Sequence, residues 1–191
     1  MTWPTYPPGR CRALALCLGL LLLPGAQAGE PLTLTAQGDI QVAFSPGDDA
    51  GALVVTAIRQ ARRQILVQAY SFTHKDIATA LIEARGRGLE VAILADRQQA
   101  DTQKNSVLPY LVKSGVTVWL DGEHAAAHDK VMVIDADTPQ AVVITGSFNF
   151  THAAQFRNSE NLLVLRGNPL LARAYAANWR LHRTHGIKLM H

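Results

Sequence analysis

His128 and Lys130 stand two residues apart where one apolar run begins, and Gly146, Ser147 and Asn149 stand where another ends. An imidazole, an ammonium, a hydroxyl and a carboxamide together suit an anionic tetrahedral group. The lysine neutralises a phosphate as a point charge, serine and asparagine donate hydrogen bonds to its oxygens, and a histidine serves as nucleophile or proton carrier near neutral pH. Glu160 is a candidate orienter, because a carboxylate bonded to one ring nitrogen fixes the tautomer and leaves the other free to attack. Arg157, three residues before it, is a further candidate for binding phosphate. Each residue alone reads as an ordinary polar group at a strand end, and it is the joint spacing that singles them out.

These groups need a scaffold that brings them together. Residues 131–134 are apolar and mostly β-branched, and read as a buried strand starting near Asp129; residues 141–145 read as a second strand. Between them lies the turn-forming cluster Ala136-Asp137-Thr138-Pro139-Gln140, so an antiparallel hairpin is expected. In a hairpin the start of the first strand and the end of the second share an end, which sets His128 and Lys130 against residues 146–149. His128 and Lys130 share a face, as Ser147 and Asn149 do if the chain stays extended. Gly146 lets the backbone approach closely. Asp135 falls at the opposite end of the hairpin, where a carboxylate stabilises a turn.

The rest of the chain alternates strands with helices. Strands are expected at residues 39–44, 65–72, 89–95, 116–120 and 161–166, and helices after the turn at residues 45–49, at 76–87, near 107–113 and at 169–182. That order implies an α/β fold: a single layered domain with a mixed β-sheet between helices.

His128-x-Lys130-x4-Asp135 followed by Gly146-Ser147-x-Asn149 resembles the signature of the phospholipase D superfamily. The likeness extends through Phe44-Ser45-Pro46, Ala69-Tyr70-Ser71-Phe72-Thr73 and Asn158-Ser159-Glu160-Asn161, and is strongest to the short, single-motif bacterial endonucleases of that family. Ten residues separate Asp135 from Gly146, a longer interval than the family usually shows, and the hairpin puts the extra residues at the turn away from His128. The resemblance implies a phospholipase D-like fold and places Asp135 in the catalytic set with His128, Lys130, Ser147, Asn149 and Glu160. It implies a metal-independent phosphodiesterase, with no cofactor, that acts on nucleic acid. Attack by His128 on phosphorus would give a phosphohistidine, and its leaving oxygen needs an acid. One histidine cannot conveniently be both. With one H-x-K motif in the chain, a homodimer is expected, its active site at the two-fold axis with two His128 residues face to face. The alternatives are a phospholipase D acting on phosphatidyl headgroup esters, for which phospholipid replaces nucleic acid, and a module that binds phosphate without cleaving it.

Residues 1–28 read as a signal peptide: Arg10 and Arg12 precede the apolar run 13–23, and Ala26-Gln27-Ala28 is a small-residue cleavage pattern. The run is short for a membrane span, so a periplasmic or secreted protein of residues 29–191 is expected. Both cysteines, Cys11 and Cys17, leave with that peptide, which excludes disulfides and cysteine-based zinc sites from the mature chain. Its 16 basic and 15 acidic side chains nearly balance, but residues 161–191 hold five basic groups, Arg166, Arg173, Arg180, Arg183 and Lys188, and no acidic one. A basic C-terminal face fits nucleic acid or anionic headgroups. No metal site is expected: His124 and His128 are four apart but lack a third ligand at an evident spacing, and His182 and His185 read as surface residues in a basic tail.

Overall fold

Eight strands form one mixed sheet in the computed structural model, which describes Met1 and residues 30–190. The elements run β1 (Asp39–Ser45), α1 (Ala50–Gln60), β2 (Gln64–Ala69), α2 (Lys75–Gly86), β3 (Glu90–Asp96), α3 (Arg97–Thr102), α4 (Leu108–Lys113), β4 (Thr117–Asp121), β5 (Lys130–Ile134), β6 (Val142–Gly146), α5 (His152–Phe156), β7 (Glu160–Arg166), α6 (Pro169–Arg183) and β8 (Ile187–Lys188). Apart from Met1, the expected leader over residues 1–28 lies outside the described residues, as do both cysteines. Among the described residues no helix is long and apolar enough to cross a membrane.

The strand order is β1-β7-β6-β5-β2-β3-β4-β8. Strands β2, β3 and β4 are parallel, joined by helical crossovers, while β5, β6, β7 and β1 pair antiparallel in turn. The sheet is therefore mixed, with helices on both faces, as the sequence leads one to expect. Period-two alternation sends successive residues of each strand to opposite layers. Ile65, Val67 and Ala69 of β2 join Val54, Ile58, Ile77 and Leu81 of α1 and α2 in the larger core. Leu66, with Val131, Val133 and Val143, faces Ala172, Ala176 and Trp179 of α6 in the smaller one. Trp179 is anchored by its indole Nε1–H, which donates to the carbonyl of Val67 at 2.8 Å.

This topology lines up one rim of the sheet. The registers Ser45↔Glu160, Gly146↔Leu162, Ala69↔Lys130 and Asp96↔Asp121 place the ends of five strands and the starts of β5 and β7 along it. Sequence-distant polar groups are thereby gathered, while β5 and most of β6 behind them are buried.

Candidate active site

The β5–β6 hairpin forms as expected, with Met132 opposite Ile144 and Ile134 opposite Val142. The same register continued by two residues sets Lys130 beside Gly146. Gly146 has φ of 145°, and a Cβ there would fall on the carbonyl oxygen of Asn161, so only glycine lets β6 and β7 close at this point. Beyond it Phe148 and Phe150 are buried, and the alternation turns Ser147 and Asn149 the other way. The carbonyl of Asn161 accepts from the N–H groups of Ser147 and Phe148 at 3.1 and 3.2 Å, fixing the segment. Ser147 Oγ accepts from Asn161 N and Nδ2 at 3.0 and 3.3 Å, which leaves its own proton to donate outward. Asn149 is half-buried and its Oδ1 has no hydrogen-bond partner.

His128 is exposed at the end of the loop that enters β5, and Lys130 is buried beneath it. Lys130 Nζ donates to His128 Nδ1 at 2.8 Å and to the His128 carbonyl at 2.6 Å. With an ammonium at Nδ1, the imidazole proton rests on Nε2. Burial pushes the Lys130 ammonium below its ordinary pKa, against the opposing pull of Asp129 and Glu160. The loop before His128 is pinned by Asp96 Oδ2, which accepts the N–H of Ala127 at 2.8 Å. Asp129 Oδ2 accepts from Gln68 Nε2 at 3.1 Å.

Two expectations are corrected. The orienting bond from Glu160 to His128 is not made: Glu160 Oε1 takes the side-chain N–H of Asn158 at 2.9 Å, and Glu160 acts on the site through the charge of Lys130. Asp135 stands apart from the other predicted catalytic residues, at the far end of β5, roughly 20 Å along the strand from His128. Its carboxylate accepts from the N–H groups of Arg62, Arg63 and Gln64 at 2.8–2.9 Å, and so serves the connection between α1 and β2.

One site residue has a role that the sequence reading did not assign. The ring of Tyr70 lies 4.4 Å from that of His128, and Lys130 Nζ sits 4.8 Å over its face. The sequence motif around Tyr70 carried family likeness but no role, because a pairing across β2 and β5 is invisible in spacing. Tyr70 also opens a groove of about 490 Å³ lined with Gln99, Gln103, Asn149, Arg157 and Asn158. A larger cleft, about 560 Å³, lies at the opposite rim beside Asp135, away from Tyr70 and Asn149. The structure also corrects the histidine reading: His124, His182 and His185 converge on Asp121, at the same rim as His128.

A family model described as Cardiolipin synthase, PLD-like domain, matches residues 54–180. The fold is similar to that of Nuc, a phospholipase D family member from Salmonella typhimurium, with 37% sequence identity and a TM-score of 0.74 over 80% of this chain and 99% of that one. NucT from Helicobacter pylori is similar at 25% identity and a TM-score of 0.70, over 79% and 99%. A phospholipase D of Rickettsia prowazekii is 37% identical over 149 residues, which are 78% of this chain and 70% of that protein.

Proposed function

The chain belongs to the phospholipase D superfamily and is a phosphodiesterase, and on that premise we propose that it is an exported endonuclease working through a phosphohistidine at His128. The groove beside Tyr70 carries this reading. Carboxamides, hydroxyls and Arg157 line it, and Ala153 is its one aliphatic residue, a lining that fits a hydrated polyanion better than acyl chains. The exposed arginines Arg173, Arg180 and Arg183 of α6 add a basic surface. Export rests on the composition of residues 1–28.

In this reading a phosphate entering the site draws the Lys130 ammonium away from His128 Nδ1. The freed imidazole attacks phosphorus, a P–N bond forms, and the bond to one ester oxygen breaks as that oxygen takes a proton. Ser147 and Asn149 hold the non-bridging oxygens and Lys130 offsets their charge. A water, deprotonated as it attacks, then breaks the P–N bond and restores His128. The acid of the first step and the base of the second are assigned to His128 of a second copy. Support for a dimer comes from Ile40, Val42 and Phe44, an exposed apolar stripe on edge strand β1. Ser45 at the end of that strand pairs with Glu160, so the stripe runs up to the site.

The likeness to the Rickettsia phospholipase D favours a second reading, hydrolysis of phosphatidyl headgroup esters by the same residues. Residues 29–191 assayed in EDTA on plasmid, single-stranded DNA, RNA and phosphatidylcholine vesicles separate the two. Nucleic-acid cleavage that persists in EDTA and drops at least about 10³-fold in His128→Ala is the expected result. Choline release without nucleic-acid cleavage would replace the endonuclease reading with the lipid one, and silence on every substrate would sink both.

A further inference from the structure

We propose that Asp121, His124, His182 and His185 bind a divalent transition metal of the zinc class, which staples the C-terminal segment to the loop that delivers His128. One ligand atom from each of the four residues lies within 4.8 Å of the others. The residues come as two pairs, Asp121-x2-His124 and His182-x2-His185, each on its own segment. The first pair begins at the last residue of β4. The second spans the last turn of α6 and the turn before β8, and the register Leu120↔Ile187 brings the two pairs together.

The distances favour a cation over hydrogen bonding. His124 Nδ1 and His182 Nδ1 lie 3.5 and 3.4 Å from Asp121 Oδ2, and His185 Nδ1 lies 3.4 Å from Oδ1. Good N–H···O bonds are about 2.9 Å long. The edge of a tetrahedron with metal–nitrogen bonds near 2.0 Å is about 3.3 Å, which the two approaches to Oδ2 match, while His185 meets the other oxygen of the same carboxylate. His185 Nδ1 is buried and, although 3.4 Å from Asp121 Oδ1, makes no hydrogen bond. The Asp121 side chain is fully buried, and besides the long 3.4 Å contact with His182 Nδ1 it accepts from the N–H of Glu123 at 3.0 Å. Three imidazole rings packed 5.0–5.5 Å apart repel one another if all are protonated. As neutral ligands around one cation they attract it instead.

Three imidazoles and a carboxylate are borderline ligands, matched to Zn²⁺ and, by the same donor set, Co²⁺ or Ni²⁺. Four protein ligands close a tetrahedron, so the metal holds structure and leaves no position for substrate. What it holds is specific. His124 is four residues before His128, and Ala127 is already tied to Asp96, so the metal fixes the start of the same short loop. It also ties down the end of α6 and the two-residue strand β8.

The test uses the full mature protein without a histidine tag, stripped by chelator and dialysed, and reads metal binding and melting with no substrate present. Zinc should bind at one equivalent per chain and raise Tm by about 5 °C or more. Cobalt should give the visible absorption of a tetrahedral site. The double variant H182A/H185A changes two partly exposed side chains, so it should fold and lose both effects; H124A should weaken them. No stoichiometric zinc in the wild type, or unchanged binding in the double variant, would overturn the proposal. Because no phosphodiester is cleaved in this experiment, its failure is independent of the nuclease reading.

Discussion

Asp135 has both carboxylate oxygens committed to the backbone N–H groups of Arg62, Arg63 and Gln64, and its own backbone adopts φ of 50°. A group so occupied holds a loop. Asp135→Ala orphans three donors and should cost about 2–4 kcal/mol of stability, seen as a lower midpoint in urea. The activity of the molecules still folded should be unchanged; a loss of kcat at full folding would return Asp135 to the chemistry. His74 offers a second residue-scale outcome. It is buried with Nδ1 unbonded, and a Cβ on Gly51 would come within 2.7 Å of its Nε2. Burial lowers its pKa below the usual 6.5, with a smaller push from His152 and an opposing pull from Asp76 and Asp49. The unfolded chain then binds more protons than the native one below about 6.5, so the stability held above that pH is lost as pH falls towards the folded pKa. Thermal melts of His74→Gln should show a flatter acid limb than wild type.

At the scale of the elements, the hairpin was legible because its two strands are apolar and its turn is marked by Asp-Thr-Pro. The gathering of Lys130 and Gly146 at one end of it followed from geometry alone, since the start of the first strand and the end of the second meet there. Other elements escaped. α3, α5 and β8 are six, five and two residues long, too short for a period to register. The strand expected over residues 65–72 stops at Ala69: the N–H of Tyr70 still reaches the carbonyl of Asp129, but those of Thr73 and His74 leave β5 for Phe150. The Asp121 cluster was hidden for a different reason: its pairs are some sixty residues apart and meet only through the β4–β8 register. Gly146 tests the junction of β6 with β7. Gly146→Ala should push β6 off Asn161, cost about 1–3 kcal/mol and displace Ser147. A drop in kcat larger than the drop in folded fraction is the expected kinetic result.

The whole molecule poses the question of how one H-x-K motif completes the proposed two-step reaction. On the proposed shared site, titrating His128→Ala into a fixed amount of wild type should depress activity as subunits exchange. At equal amounts about a quarter of the dimers remain wholly wild type. Activity that stays constant across the titration, and per molecule across dilution to a strict monomer, would remove the shared site. Replacing Val42 with Asp on the exposed stripe should weaken self-association in sedimentation while leaving the fold intact, since its side chain faces solvent in one copy.

Strand β1 is made first and waits longest for its partner. Asp39 waits for Arg166 and Ser45 for Glu160, more than a hundred residues of synthesis later. Closing so long a loop is slow, and until it closes the sheet lacks its outer strand. A chain still being made is thus an incomplete sheet with an open rim. Competence for phosphodiester cleavage follows the end of synthesis and does not accompany it.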